Sequence, residues 1–374
     1  MRPHIIYCYP IWHTVSFSLI AKKHIEGLRR YTKVYEWDEL NLPDIYPVKP
    51  YVLLVHPMFW CTWRWCQQLK LAEPSLDRAL ENLSKRFEKY EKAVGIDVAD
   101  SDGISDLAVK LTEVYDEVVV PSDFARRSYV RSGVKVPVRV IPHGLDLEWY
   151  DSPPISIEGV SNQALRVLWQ LKQMSHRKLL LFWMWHSPER KGWPEVLVFY
   201  ERLKRERDDV ALVVKTGGPL NIDVERAKRL GIINVFGWLT EEEKMFLYDI
   251  CDVTLLFSRG GGFEVCGLES LARGTPAVGH RMGAWAEYMP DWLLCREGLR
   301  VRVFPDNQIH VGYGYTVDVD DALDKVHEIL EDLAEYRARV REYAVRRLRG
   351  VYNWREVGKR LWEVATDGGV PEGG

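Results

Sequence analysis

The sequence predicts an α/β protein made of two successive domains, each with a mostly parallel sheet. Its length of 374 residues allows two domains of ordinary size. Short apolar segments alternate with amphipathic helical stretches along the chain, which is typical of parallel sheets covered by helices. Residues 146–163, rich in Pro, Ser and Gly, interrupt the alternation and indicate a linker, after which the alternation starts again.

The individual elements follow from this alternation. In the first half, strands are predicted at 4–10, 33–37, 51–57, 95–100, 117–122 and 138–144, and helices at 16–31, 79–93 and 104–115. In the second half, strands are predicted at 178–187, 210–218 and 253–258, and helices at 195–207, 241–250 and 268–274. Gly274 and Pro276 form an ordinary stop signal for the last of these helices. Ligands are expected at the carboxyl ends of the strands.

The composition is that of a globular protein, with 47% hydrophobic and 28% charged residues. The formal net charge of −3 argues against nucleic acid as a partner. The six cysteines form no C-x-x-C pair and are expected to be reduced, mostly buried thiols in a cytoplasmic protein. The apolar run 179–185 is far shorter than the roughly 20 residues of a membrane-spanning helix, and the N-terminus lacks a signal-peptide layout.

A glycine-rich segment, RGGGFEVCGLESLARGTPAVG at 259–279, carries two carboxylates, Glu264 and Glu269. Glycine allows the backbone to bend sharply or to approach a ligand closely. A glycine loop ahead of a helix can direct several backbone N–H groups at an anion. The segment therefore predicts a site for an anionic group.

Five blocks of the sequence resemble the retaining glycosyltransferases of family 4, which have the GT-B fold. The matching blocks are 118–146, 187–197, 234–258, 267–279 with 283–288, and 352–365. The resemblance implies two Rossmann-like domains that face each other across a cleft, with a C-terminal helix that crosses back to the first domain. It places the acceptor-side domain at 1–165, the donor-side domain at 166–350, and the returning helix and tail at 351–374.

The resemblance also implies an activity, the transfer of a sugar from a UDP- or GDP-sugar with retention at the anomeric carbon. No metal is expected, because protein groups balance the charge of the leaving diphosphate, and no cofactor is expected, since the nucleotide-sugar is a substrate. Lys191 would stabilise the departing phosphate as a point charge, and Glu269 would accept hydrogen bonds from the ribose. A solvated turn lysine and a surface helix acid are the alternatives for these two residues. The acceptor, whether glycan, lipid or small molecule, is left open.

Further donor-site residues follow from the same resemblance: Gly261, Gly262, Phe263, Val265, Cys266, Lys215, Trp238 and Leu239. Trp238 and Leu239 would pass the nucleotide base, with backbone contacts. Lys215 either faces the donor phosphates or is a solvated lysine at a strand end. Candidates for contacts with the acceptor or the donor sugar are His56, Asp100 and His186. A structural, hydrogen-bonded histidine is the alternative for His56.

The sequence departs from the family pattern at two positions. Gly261 stands where the family has a glutamate eight residues before Glu269, and Trp185 stands where it has an arginine six residues before Lys191. We predict that Glu264, or the backbone N–H groups of 262–266, replaces the missing carboxylate. Alternatively, Glu264 pairs with a neighbour such as Arg259 or Arg281. These departures motivate a competing hypothesis, a nucleotide- or glycan-binding protein that has lost catalysis.

The sequence also allows three other interpretations. Asp100-Ser101-Asp102 matches a D-x-D metal motif, although acceptor binding or capping of the helix at 104 explains these acids better. Another GT-B enzyme, a sugar phosphorylase or a nucleotide-sugar epimerase, is a rival, but no lysine is placed as a pyridoxal-phosphate anchor. The basic, amphipathic helix 16–31 suggests either peripheral contact with a membrane or an ordinary sheet-covering helix.

Overall fold

The computed structural model describes residues 3–44, 50–70, 75–185 and 187–367, and the chain forms two compact units. The first unit consists of Met1–Gly144, Phe304–Gly312 and Val351–Gly374. The second unit consists of Leu145–Val303 and Tyr313–Gly350. Each unit is built around its own parallel sheet, as the sequence predicts.

In the described part of the first unit, six strands form a parallel sheet. They are β1 (His4–Tyr9), β2 (Val34–Asp38), β3 (Tyr51–Val55), β4 (Lys92–Ile96), β5 (Glu117–Val120) and β6 (Val138–Val140). Their order in the sheet is β2-β1-β3-β4-β5-β6. The helices that follow them in the chain are α1 (Ser16–Leu28), α2 (Met58–Leu69), α3 (Leu76–Phe87), α4 (Asp106–Thr112) and α5 (Asp123–Arg131).

The second unit contains another six-stranded parallel sheet. Its strands are β7 (Lys178–Met184), β8 (Val210–Thr216), β9 (Ile233–Phe236), β10 (Val253–Leu256), β11 (Ala277–His280) and β12 (Leu294–Cys295). An antiparallel hairpin, β13 (Glu297–Arg302) and β14 (Tyr313–Val317), follows. The sheet order is β12-β11-β10-β7-β8-β9. The order reverses between β7 and β10, and ligands of doubly wound sheets bind outside the carboxyl ends of strands at such a reversal.

The remaining helices belong to the second unit, apart from the last. They are α6 (Glu148–Asp151), α7 (Gln163–Ser175), α8 (Pro188–Lys191), α9 (Trp193–Glu206), α10 (Val224–Leu230), α11 (Glu241–Ile250), α12 (Val265–Ala272), α13 (Val319–Glu331), α14 (Leu333–Tyr343) and α15 (Trp354–Thr366). A π-helical turn, Ala344–Leu348, continues α14. None of the helices within the described ranges has both the length and the hydrophobicity to span a bilayer.

The C-terminal helix α15 is part of the first unit, where it packs against α1. The contact is close because a glycine stands on each helix: a Cβ on Gly358 would lie 2.6 Å from the Cα of Gly27. Val357 and Leu361 of α15 are buried in the same apolar layer as Ile25 of α1. The predicted return of the last helix to the first domain is confirmed.

Several predicted segments differ from the structure in their bounds, and the strand predicted at 95–100 lies at Lys92–Ile96. Two further differences concern the helix before this strand and the end of the first unit. The helix predicted at 79–93 ends at Phe87, because the chain enters β4 at Lys92. The predicted linker 146–163 belongs to the second unit, so the first unit ends at Gly144 rather than at the predicted 165. Side-chain contacts explain this, since Trp149 Nε1 donates to Glu241 (3.1 Å) and Ser161 Oγ donates to Glu243 (2.9 Å).

Candidate active site

Lys191 and the glycine loop follow the two strands at which the order of the second sheet reverses. Lys191 is the last residue of α8, just after β7. The loop that contains Gly260, Gly261 and Gly262 follows β10 and leads into α12. The predicted anion site therefore lies at the position where the topology favours a ligand.

The side chains of Lys191 and Glu264 form a buried ion pair. Lys191 Nζ donates to both carboxylate oxygens of Glu264, at 2.7 and 2.6 Å. Arg190 Nη1 lies 3.5 Å from the same carboxylate, and Ser258 Oγ donates to it at 3.0 Å. These partners offset the cost of burying the carboxylate. The predicted alternative partners are engaged elsewhere: Arg259 pairs with Glu195 and Arg281 with Asp291.

The Glu264 carboxylate lies directly over Gly261. A Cβ on Gly261 would be only 2.5 Å from Glu264 Oε1. Glu264 adopts φ +62°, a left-handed conformation that costs a non-glycine residue free energy. The hydroxyl of Tyr288 donates to the Glu264 carbonyl at 2.6 Å and holds this backbone in place. Glu264 thus fills the space that a side chain at position 261 would need.

Glu269, on α12, is buried and paired with two residues of α11. Tyr248 Oη donates to Glu269 Oε2 at 2.7 Å, and Lys244 Nζ lies 3.3 Å from Oε1. Burial lowers the pKa of Lys244, but the charges of Glu269 and Glu241 outweigh burial and raise it. The surface-acid alternative for Glu269 is therefore wrong. Sequence reasoning missed Lys244 and Tyr248, although their i,i+4 spacing places them on one helix face.

Lys215 is buried at the end of β8 rather than solvated. Its Nζ donates to the carbonyls of Gly237 (2.6 Å) and Thr216 (2.9 Å). Nζ also lies 5.4 Å from the ring centre of Trp183 and 5.1 Å from that of Trp185. Burial, together with the nearby charge of Lys244, lowers the pKa of Lys215 to about 8. The lysine therefore still carries its charge near neutral pH.

Several tryptophan side chains lie near Lys215. The rings of Trp185 and Trp238 lie 4.9 Å apart, and their side chains are 41% and 57% exposed. Trp238 and Leu239 follow β9, beside Lys215 on the neighbouring strand. Trp185, at the position where the family has an arginine, thus packs beside Lys215 of the neighbouring strand.

The other predicted donor residues belong to the loop and first turn of α12. Phe263 packs on Tyr288, with ring centres 5.4 Å apart. Cys266 Sγ lies 3.7 Å from Glu264 Oε2, and burial raises the pKa of its thiol. Val265 begins α12, directly after Glu264. All six cysteines are free thiols, and five of them are buried.

Residues of the first unit form a separate group. His56 directly follows β3 and is buried, with its ring 5.6 Å from His24 and 5.5 Å from Phe17. Its Nδ1 has no hydrogen-bond partner, so the predicted alternative of a hydrogen-bonded structural histidine lacks support at this atom. Burial and the neighbouring His143 lower the pKa of His56 to about 3. His186 lies outside the described residues.

The D-x-D segment has structural contacts. The backbone N–H of Asp100 points at His310 Nδ1 (3.4 Å), and Ser101 Oγ accepts from the N–H of Gly312 (3.1 Å). Asp102 lies 3.8 Å from Arg131. Ser105, rather than an aspartate, caps α4. Across the described ranges, no group of three or more His, Cys, Asp or Glu side chains is arranged to hold a metal ion.

Two relatives share sequence with the chain. It is 31% identical over 351 residues to the uncharacterized protein 356 of Sulfolobus islandicus rod-shaped virus 1, covering 91% of this chain and 92% of the viral protein. It is also 32% identical over 169 residues to the alpha-monoglucosyldiacylglycerol synthase of Streptococcus pneumoniae, covering 44% of this chain and 37% of the synthase. No protein-family model matches the chain.

Solved structures share the fold. The sucrose-phosphate synthase of Thermosynechococcus elongatus superposes with a TM-score of 0.66 at 14% identity, covering 98% of this chain and 99% of that one. The UDP-forming trehalose-phosphate synthase of Burkholderia xenovorans gives a TM-score of 0.63 at 14% identity, and the match covers 98% of this chain and 100% of that one. The predicted GT-B fold is confirmed. The chain belongs to the same family as protein 356 of the virus, and its fold is the GT-B fold that the resemblance to glycosyltransferase family 4 implies.

Proposed function

We propose that the protein transfers a sugar from a UDP- or GDP-sugar to an acceptor hydroxyl with retention at the anomeric carbon, without a metal ion. One observation carries this proposal: Lys191 pairs with Glu264 at the N-terminus of α12, and Glu269 lies further along the same helix, where the sheet order reverses. A cation, a glycine loop and two carboxylates at that position suit a sugar linked to a diphosphate.

In the proposed reaction, each of these groups has a distinct role. Lys191 and the N–H groups of the glycine loop stabilise the diphosphate as the bond between it and the anomeric carbon breaks. The acceptor oxygen bonds to that carbon on the same face, and its proton passes to the departing phosphate oxygen. Glu269, held by Tyr248, accepts hydrogen bonds from the ribose. Glu264 accepts them from hydroxyls of the donor sugar.

Donor binding requires Lys191 to exchange one partner for another. In the structure its Nζ donates to both oxygens of the Glu264 carboxylate. A diphosphate brings its own negative charge, which would draw Lys191 towards it and release Glu264 for the sugar hydroxyls. The ion pair is therefore a resting arrangement of two groups that act on adjacent parts of the donor.

The name of one solved neighbour supports a UDP-sugar, since that enzyme is described as UDP-forming. The streptococcal relative, whose name says that it synthesises monoglucosyldiacylglycerol, supports a lipid acceptor. Peripheral membrane contact fits the first unit, where Trp12, Val15 and Leu19 are exposed while Ile25 and Leu28 are buried. Flotation with anionic and neutral vesicles tests this contact, and absence of the protein from both kinds of vesicle would contradict it.

A cytoplasmic location stays a prediction from the cysteines.

A second candidate function is nucleotide or glycan binding without catalysis. The observation that favours it is the same ion pair, because Glu264 already neutralises the cation expected to assist the leaving phosphate. Such a protein would bind a nucleoside diphosphate but would neither transfer nor hydrolyse the donor. Turnover therefore separates the two candidates.

The test is a panel of UDP- and GDP-sugars, with glycan, glycolipid and water as acceptors. We expect one donor to release its nucleoside diphosphate, and a chelator should leave the rate of release unchanged. NMR should show that the product has the same anomeric configuration as the donor. Binding of the diphosphate without release from any donor would favour the second candidate. An inverted product would contradict retention.

A further inference from the structure

A cavity of about 200 Å³ lies in the second unit, at the end of α12 that points away from the glycine loop. Three arginines line it: Arg273, which directly follows α12, and Arg337 and Arg341, which belong to α14. Asp249 of α11 also lines it. One water molecule takes up about 30 Å³ of liquid, so the cavity has room for a tetrahedral oxyanion with some water around it.

The cationic side chains around this cavity outnumber the carboxylates. Arg273, whose side chain is fully buried, donates through Nε and Nη2 to the two carboxylate oxygens of Asp249, each at 2.9 Å. Arg337 Nη2 lies 3.5 Å from Asp252 Oδ1, an oxygen that already accepts from Lys172 Nζ at 2.9 Å. Three cationic side chains therefore share two carboxylates.

Arg341 adds a further positive charge that no carboxylate balances. Its Nη2 donates to the carbonyl of Ser152 at 3.3 Å, and it forms no ion pair within the part of the chain that the structure describes. Arg273 Nη1 donates to the same carbonyl at 3.2 Å, so the two guanidinium groups are neighbours. Arg337 lies one helical turn before Arg341, and like charges at that spacing repel each other. An anion in the cavity would offset this repulsion.

We infer that this cavity binds a phosphate group, either as inorganic phosphate or as part of a small phosphorylated metabolite. A guanidinium group presents two parallel N–H donors that match two phosphate oxygens. Arg341 would supply such a pair, while Arg273 and Arg337 keep their present partners and contribute charge.

The inferred site is separate from the proposed donor site. Lys191 pairs with Glu264 directly before the first residue of α12, whereas Arg273 directly follows the last. The helix has eight residues and is therefore about 12 Å long. The inference thus goes beyond the proposed function and does not depend on it.

The test is equilibrium binding of inorganic phosphate and of glycerol phosphate to the full chain, by phosphorus NMR at constant ionic strength. We expect Arg341→Gln to weaken binding about 10- to 150-fold, because hydrogen bonds to a charged group are lost. Arg341→Lys keeps the charge without the planar fork and should recover part of the loss. Arg346→Gln is the matched control, since it removes the same charge from an exposed arginine of this unit.

Lys191→Ala separates the cavity from the glycine loop, which also suits a phosphate. Binding that persists in Lys191→Ala and is weakened in Arg341→Gln would support the inference. Binding that is lost in Lys191→Ala but parent-like in Arg341→Gln would place the phosphate at the donor site and overturn it. A parent protein that binds neither compound saturably would overturn it as well. Thermal unfolding without phosphate checks that each variant is folded.

The two ligands distinguish the source of the phosphate. Tighter binding of glycerol phosphate would support a phosphorylated metabolite as the ligand of the cavity. Equal or tighter binding of inorganic phosphate would support the free ion. Both results require that Arg341→Gln weakens the binding while Arg346→Gln does not.

Discussion

Glu264 combines an unfavourable backbone conformation with the most extensive set of polar contacts described for the site. Its φ of +62° favours glycine, yet its carboxylate contacts Lys191, Arg190 and Ser258. Strained residues persist where the surrounding structure holds them, and they often mark functional positions. The sequence shows the missing acid at position 261, but only the coordinates show that Glu264 fills the space over Gly261.

Replacing Lys191 tests the charge proposed to assist the leaving phosphate. We expect Lys191→Ala to lower turnover by on the order of 10²–10³, with a smaller effect on binding of the nucleoside diphosphate, because the charge matters most as the bond breaks. Steady-state kinetics with the donor found in the panel measures this. Lys228→Ala, at an exposed lysine of the same unit, should behave like the parent. Unchanged turnover in Lys191→Ala would remove this lysine from the site.

Exchanging positions 261 and 264 tests the role of the carboxylate. We expect Glu264→Gln to lower turnover about 10- to 100-fold while the nucleoside diphosphate still binds, since a hydrogen bond to a charged group is lost. Glu269→Gln should instead weaken binding of the nucleotide. The double variant Gly261→Glu/Glu264→Gly should recover turnover, because it returns a carboxylate to the same space and places glycine at the left-handed position. Parent-like turnover in Glu264→Gln would refute the replacement.

Among the secondary-structure elements, those with a strong apolar pattern were predictable. The predicted strands that begin at 178, 210 and 253 and the predicted helix 241–250 match the structure closely. The helix α2 was missed, because the four aromatic residues and two cysteines among its 12 residues have low helix propensity, although Cys61, Trp65 and Leu69 recur at helical spacing. The hairpin of β13 and β14 was missed too, since β13 is mostly exposed and has no buried face. Contacts that depend on pairing of distant segments, such as Lys215 with Trp185, leave no local signal.

The close contact of α1 and α15 gives a prediction for these two helices. Gly358→Ala would place a methyl group within 2.6 Å of the Gly27 Cα and force the helices apart. Overpacking costs about 1–3 kcal/mol, and the better helix propensity of alanine offsets about 1 kcal/mol of it. We expect a net loss of up to about 2 kcal/mol in the free energy of unfolding.

Urea unfolding followed by circular dichroism measures this loss. Gly350→Ala is the matched control, because no atom lies within 4 Å of the added Cβ, and it should keep or slightly raise stability. A Gly358→Ala protein as stable as the Gly350→Ala control would show that α15 can shift without penalty.

For the molecule as a whole, acid stability should depend on buried histidines of the first unit. Burial lowers the pKa of His56 to about 3 and that of His143 to about 4. The unfolded chain protonates histidine near pH 6.5. Below that value the unfolded state binds more protons than the folded state, so the free energy of unfolding decreases as the pH is lowered. Asp97, whose pKa burial raises to about 7, acts in the opposite direction between about pH 4 and 7.

A variant isolates the histidine contribution. His56→Gln removes one titrating group and leaves Asp97 unchanged, so the parent should lose on the order of 2–3 kcal/mol more stability than the variant between pH 7 and 4.5. Denaturant unfolding at a series of pH values measures the difference. His13→Gln, at an exposed histidine, should follow the parent. Parallel pH profiles for the parent and His56→Gln would contradict the assignment.

The membership of α15 in the first unit also bears on how the chain is made. A ribosome releases residues 1–144 early, yet the helix that covers α1 is synthesised only after the whole second unit. The second unit, complete by Gly350, can close while the final helix is still in the exit tunnel. The apolar face of α1 must therefore remain without its native cover through most of translation. The unit whose synthesis starts first is the one whose folding ends last.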